Sequence, residues 1–414
     1  MLPNGGHGTL RRSSGILIGA CALAASAAAT HATVRESTTT PHRCASTVNR
    51  STTRLAPGAK IVATSMRKGR CRSWIAVIGG TARDIWGFNY NGGLWRSTDD
   101  LRTWRLVWQG TPGLFVERAL RTASGRVLIE VGDRGDRHRI LRSTTRAATR
   151  FKQTFALPAQ SYLHFTRNWG QYNVLGGPRG AIYVGEYGPN PNPVHLWRST
   201  DDGRTFQSRV EVAGRSTSSP DRVRHFHGVF VDPITHWLWA AIGDNGPEPR
   251  IGYSQDGGQT FTWISRGLYP QSRAVALMFA PDAVYWATDV PEQPGAVYRW
   301  DRRTGGVTSV LEGLTEPYFD VLQARGWFAQ ISEISTKTDD GYIGDDHIHL
   351  VVGNGSRWQR VTTPWTRGAP QYKVAPLGLT LPDRAGCSWL SFPNLKSSDG
   401  ATNVKLCLGP SGPV

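Results

Sequence analysis

Apolar runs of strand length, each closed by Gly, Pro, Asp, Asn or Ser, recur along the chain. Examples are KIVATSM (60–66), VLIEVGD (127–133), AIYVGEY (181–187), VRHFHGVFVD (223–232), WLWAAIGD (237–244) and VYWATD (284–289). They are rich in Val, Ile, Tyr and Trp, residues that fit a pleated, half-buried surface. Long runs with apolar residues at helical spacing are few. The 47 Gly, 25 Pro and 16 Trp among the 414 residues agree with many short strands joined by tight turns. The pattern predicts an all-β protein.

The turns carry a repeat. LWRSTDDLRTW (94–104), LWRSTDDGRTF (196–206) and GYSQDGGQTF (252–261) share Ser-x-Asp-x-Gly-x-Thr-aromatic, with Leu101 in the Gly position of the first. ILRSTTRAATRF (140–151), VYRWDRRTGG (297–306) and HLVVGNGSRW (349–358) are worn copies in the same phase. A period of roughly 50 residues, with four strand runs in most units, predicts propeller blades. In such a turn the Asp carboxylate accepts loop backbone N–H groups, Gly takes a positive φ, and the aromatic packs between sheets.

On these residues the chain resembles the sialidase-type β-propeller superfamily, the Asp-box or BNR-repeat proteins of secreted bacterial type. The resemblance spans roughly residues 70–365. It implies a six-bladed propeller, or a seven-bladed one if the tail completes another sheet. It also implies that Asp99, Asp201 and Asp256 are structural and lie on the rim away from the active site. True sialidases carry an arginine triad, a Tyr–Glu pair, an Asp acid and a Phe/Tyr-Arg-Ile-Pro motif. The last has only a distant echo in Thr53–Pro57, and the full catalytic set has no residue-by-residue counterpart.

Strand order then sorts the candidate chemistry. In a four-stranded antiparallel blade, the second-to-third loops and the crossovers share the rim opposite the Asp turns. That rim receives Glu186 and Tyr187, His225 and His227 with Arg224, Asp244, and Asp289. It also receives Asp133, with Arg118 and Arg273 reached by counting back from the strand-end carboxylates. The crossover at 164–169 adds His164, Arg167, Asn168 and Trp169. Histidines two apart on a strand share a face. The expected roles are catalytic for Glu186, Tyr187, His225, His227 and Asp244. Arg118, His164, Trp169, Arg224, Arg273 and Asp289 are expected to bind substrate. Arginine is the preferred fork for a carboxylate. No resident cofactor is expected; His225, His227 and Glu186 have the ligand types for a divalent metal.

The formal charge of +17 comes mostly from scattered arginines, a distribution that argues against nucleic acid and fits an acidic glycan. Arg11-Arg12 followed by an apolar run to Ala29 reads as an export signal cleaved near residue 32. That run is too short for a membrane span, and Cys21 sits too early in it for a lipoprotein box. Residues 33–59 form an N-terminal segment, 60–365 the propeller, and 366–414 a closing or capping piece. The mature cysteines suggest Cys44–Cys71 and Cys387–Cys407 disulfides, each closing a local loop. The expected molecule is a secreted monomer acting on a glycan. The leading class is a glycoside hydrolase using a carboxylate pair such as Glu186 and Asp244. A lyase on a uronic-acid polymer (His or Tyr base, Arg neutraliser) and a non-catalytic binding propeller stay open.

Overall fold

The computed structural model describes residues 43–66, 75–89, 92–111, 113–132, 138–157, 162–164, 180–187, 193–215, 217–335, 342–368, 374–392, 395–396 and 403–409. Every regular element among them is a β-strand, and the strands form seven sheets. The protein is a seven-bladed β-propeller, so the expectation of six blades is corrected to its alternative. The first six blades run in chain order, innermost strand first. Blade 4 shows the plan: Phe226–Val231, Leu238–Ile242, Arg250–Ser254 and Thr262–Arg266, each antiparallel to the next.

The extra blade was hidden because it is assembled from both ends of the described chain. Its inner strands are Gly378–Leu379, Cys387–Ser391 and Asn403–Leu408. Its outer strands are Ala59–Met66 and Thr47–Ala56. Residues 59–65 pair antiparallel with 403–408, which closes the ring. The Cys387–Cys407 disulfide joins directly opposite residues on two of these strands. Cys44 is disulfide-bonded as well, while Cys71 lies outside the described residues.

The repeated turns behave as their chemistry requires. Asp256 accepts the backbone N–H of Gln259 (2.8 Å) and Thr260 (3.0 Å) and the hydroxyls of Ser254 and Thr260. Asp201 does the same in its own turn, and Asp99 accepts the Thr103 N–H with the Ser97 and Thr103 hydroxyls. Gly203 and Gly258 take positive φ, and Leu101 adopts the same conformation (φ 65°) where Gly is missing. Its side chain is fully buried with Trp104 and Trp389, which offsets the backbone strain. Fully buried tryptophans, including Trp86, Trp239 and Trp286, fill the space between neighbouring sheets.

Candidate functional site

The site is built on the first strand of blade 4. Phe226 pairs with Ile242 and Gly228 with Ala241, so His227 is an extra residue in the ladder. Such a bulge re-aims a side chain. The first strands of blades 1, 2 and 6 carry a shift at the same stage, between Val77/Gly79, Val116/Arg118 and Tyr318/Asp320. Blade 4 alone among these four places a histidine there. Gly228 keeps the strand close to its neighbours: a Cβ would lie 2.2 Å from the Phe230 ring and 2.8 Å from the Val275 carbonyl.

Around this strand three blades converge. His227 Nε2 lies 2.8 Å from Asp244 Oδ1, and its Nδ1 lies 3.2 Å from the Ala274 carbonyl and 3.7 Å from Asp289 Oδ2. His225 Nε2 is 3.4 Å from Asp244 Oδ2, which also accepts Arg224 Nη1 at 2.9 Å. Arg273 donates from Nε to Asp289 (3.2 Å), with Nη2 3.7 Å from Asp244 Oδ1. Tyr187 from blade 3 stacks on His225, with ring centroids 3.8 Å apart. His225, His227, Asp244 and Asp289 are buried; Tyr187, Arg224 and Arg273 form the more exposed edge.

Electrostatics make this an ion-pair network. Burial alone would raise the Asp244 pKa, but His227 and the hydrogen bonds from both histidines drive it far below the ordinary carboxylate range. Burial likewise works against the charge on Arg273, and the Asp289 and Asp244 carboxylates more than offset it, raising its pKa. Glu248, a residue that strand counting overlooked, braces the loop. Its carboxylate takes Arg215 Nε (2.6 Å) and the backbone N–H of Arg224 (3.2 Å) and Asp244 (3.4 Å). The only advance signal was its place four residues after Asp244 in GDNGPE.

Other expected site residues lie elsewhere. Glu186 is turned to the opposite face of its strand, where it accepts the His195 N–H (2.8 Å) and the Trp197 indole (3.0 Å). The Glu186–Asp244 pair is therefore not brought together, because consecutive strand residues point to opposite faces. Burial raises the pKa of Glu186 there. Arg118 donates to the Leu377 carbonyl of blade 7, away from the cluster. The backbone of His164 pairs opposite Gly185; its side chain, with Asp133, Arg167, Asn168 and Trp169, lies outside the described residues. The residues at this place that could ligate a metal are His225, His227 and Asp244, in place of Glu186, with ligand atoms within 4.8 Å of one another. Two guanidiniums within 3.7 Å of Asp244 oppose a dication there.

No family model matches the chain, and no curated protein matches it. Solved structures do. An oligogalacturonate lyase in complex with manganese is 10% identical, with TM-score 0.54 over 90% of this chain and 98% of that one. The WD40 β-propeller domain of Doa1 is 11% identical, with TM-score 0.50 over 85% and 97%. A GH74 enzyme from Niastella koreensis is 16% identical over 75% of this chain and 47% of that longer one, with TM-score 0.44. Likeness at such identities shows the β-propeller fold, and the chemistry has to come from this chain's own residues.

Proposed function

We propose that the protein is a secreted, carbohydrate-active propeller that cleaves a uronic-acid-bearing glycan by β-elimination at the Tyr187–Arg224–His225–His227–Asp244–Arg273 cluster. The observation that carries this reading is the cluster's layering. Asp244 is held ionised behind two histidines, while a tyrosine and two arginines form the edge a substrate meets first. A glycosidase needs one protonated carboxyl group opposite an ionised one. Asp244 cannot supply it, and Glu186 faces away. The hydrolase pairing is set aside on that ground.

In elimination, Arg224 and Arg273 neutralise the uronate carboxylate, which acidifies the proton at C5. Tyr187, as its phenolate, takes that proton, the C4–O bond breaks as the C4=C5 double bond forms, and the Tyr187 hydroxyl returns the proton to the leaving oxygen, which restores the phenolate. His225, stacked beneath Tyr187, sets the ring's position. His227, clamped between Asp244, Asp289 and the Ala274 carbonyl, braces the strand. An oligogalacturonate lyase shares the fold, so the scaffold admits such a reaction.

The turns at Asp99, Asp201 and Asp256 support placing the chain among the Asp-box proteins. The disulfide and the basic, then apolar, N-terminus support export. A second reading, glycan binding without turnover, is favoured by one fact: both guanidiniums already have carboxylate partners, with which a substrate must compete. Incubating the secreted protein with acidic and neutral polysaccharides and weighing the products decides between them. Elimination yields products with no added water and a new ultraviolet-absorbing double bond. Products heavier by one water would mean hydrolysis, and binding without products would leave only recognition.

A further inference from the structure

A second histidine pair at the same spacing stands in DDHIHL (345–350), on the third strand of blade 6, His347–Gly353. By strand order it faces the same rim as the first pair, two blades on. His349 and Glu316 are fully buried, whereas the Asp345 side chain is 51% exposed. His349 Nε2 lies 2.8 Å from Asp345 Oδ1 and 3.4 Å from Glu316 Oε1. It also lies 3.1 Å from Arg360 Nη2, which is itself bonded to Glu316 Oε1.

In a neutral imidazole that nitrogen can donate to Asp345 or accept from Arg360, so one of the two contacts is unmet in either tautomer. Protonated, it confronts the guanidinium N–H; bare, it confronts two carboxylates. On the other side of the ring, Thr362 Oγ1 lies 3.3 Å from Nδ1, where it can accept that N–H and leave Nε2 bare. Glu316 is likewise oriented, by Thr315 Oγ1 (2.6 Å), Tyr318 Oη (3.3 Å) and Arg360 Nε (3.1 Å). Two carboxylates against one guanidinium leave a net negative cluster. Asp346 is separately taken by Arg367, and His347 stands at the mouth, 3.5 Å from Asp345 Oδ1.

We propose that Glu316, Asp345 and His349 hold one divalent cation of the zinc class, and that Arg360 occupies the place of that charge until the cation arrives. One nitrogen and two carboxylate oxygens suit such an ion. Bonds of about 2.0–2.2 Å in tetrahedral array set ligand atoms roughly 3.3 Å apart; His349 Nε2 lies 2.8 and 3.4 Å from the two carboxylates, and all three ligand atoms lie within 4.8 Å of one another. The Arg360 side chain is 32% exposed, and its guanidinium must leave Glu316 for solvent when the cation binds. The ion would tie the crossover into blade 6 to that blade's second-to-third loop.

The test is calorimetric titration of the full chain with Zn2+, paired with thermal melts. Wild type should bind one ion at this cluster and melt higher with it. Asp345→Asn, an exposed change that leaves the fold intact, should weaken this binding at least about tenfold, and His349→Ala should abolish it. Arg360→Met should bind on the order of tenfold more tightly, because a competing charge is gone. His227→Ala should leave this binding unchanged, which separates the cluster from the blade 4 histidines. Absence of Zn2+ binding, equal binding by Asp345→Asn, or weaker binding by Arg360→Met would each overturn the proposal.

Discussion

The two histidine pairs, RHFH at 224–227 and DDHIH at 345–349, share their spacing, their rim and a nearby register shift. Their surroundings make them chemically different. In blade 4, Arg224 and Arg273 match Asp244 and Asp289, so the pair lies inside a balanced, buried network. In blade 6, Glu316 and Asp345 outnumber Arg360, and one of the carboxylates opens to solvent. The same residue types at the same spacing thus brace an arginine-edged site in one place and form an electronegative pocket in the other. Spacing chooses the face, and the neighbouring charges choose the chemistry.

Neutralising one aspartate in each pair tests that contrast most directly. Asp244→Asn should destabilise the protein by about 3–5 kcal/mol, because it removes the buried carboxylate that His225, His227 and Arg224 share. Asp345→Asn, half-exposed, should cost at most about 1 kcal/mol. Equal losses in denaturant melts would erase the distinction. Tyr187→Phe, which removes the base, should reduce turnover by about 10²–10⁴-fold on an acidic polymer; full activity with an intact fold would remove the blade 4 cluster from the mechanism.

Gly228→Ala should cost about 1–3 kcal/mol by forcing the Phe230 ring and the Val275 carbonyl apart. A neutral effect would show that the bulged strand is looser than its contacts suggest.

Acid should expose the same contrast. Because Asp244 is depressed in the folded state, its contribution is complete above the unfolded value of about 4 and drains as pH falls further. Stability measured by denaturant melts should therefore fall below about pH 4, and Asp244→Asn should flatten that decline. The smallest effect belongs to Glu186→Gln. The amide oxygen can still accept from His195 or Trp197, so stability should shift by about 1 kcal/mol or less. Turnover should stay within about twofold. A large loss of activity would return Glu186 to the chemistry.

Much of the scaffold was legible because it is local. The Asp turns close through bonds that span three or four residues, so Asp99, Asp201 and Asp256 declare themselves wherever the pattern occurs. The neighbourhood of His225, His227, Asp244, Arg273 and Asp289 could be reached by strand order, since blade topology is repetitive. Glu186 does not join the cluster because it directly precedes Tyr187, and adjacent strand residues cannot both face blade 4. The seventh blade and the blade 6 cluster were harder. The blade joins residues 59–65 to 403–408, and HLVVGNGSRW reads as a worn turn copy until Glu316 and Arg360 are seen beside it.

By itself the chain determined an all-β, repeating architecture and the rim on which its polar strand ends collect, because turn chemistry and side-chain alternation act over a few residues. Only the tertiary structure decided how many blades close the ring, which way Glu186 and Arg118 turn, and which charges surround each histidine pair. Those outcomes depend on contacts between segments far apart in sequence, where burial makes every unpaired charge costly and so fixes who must pair with whom.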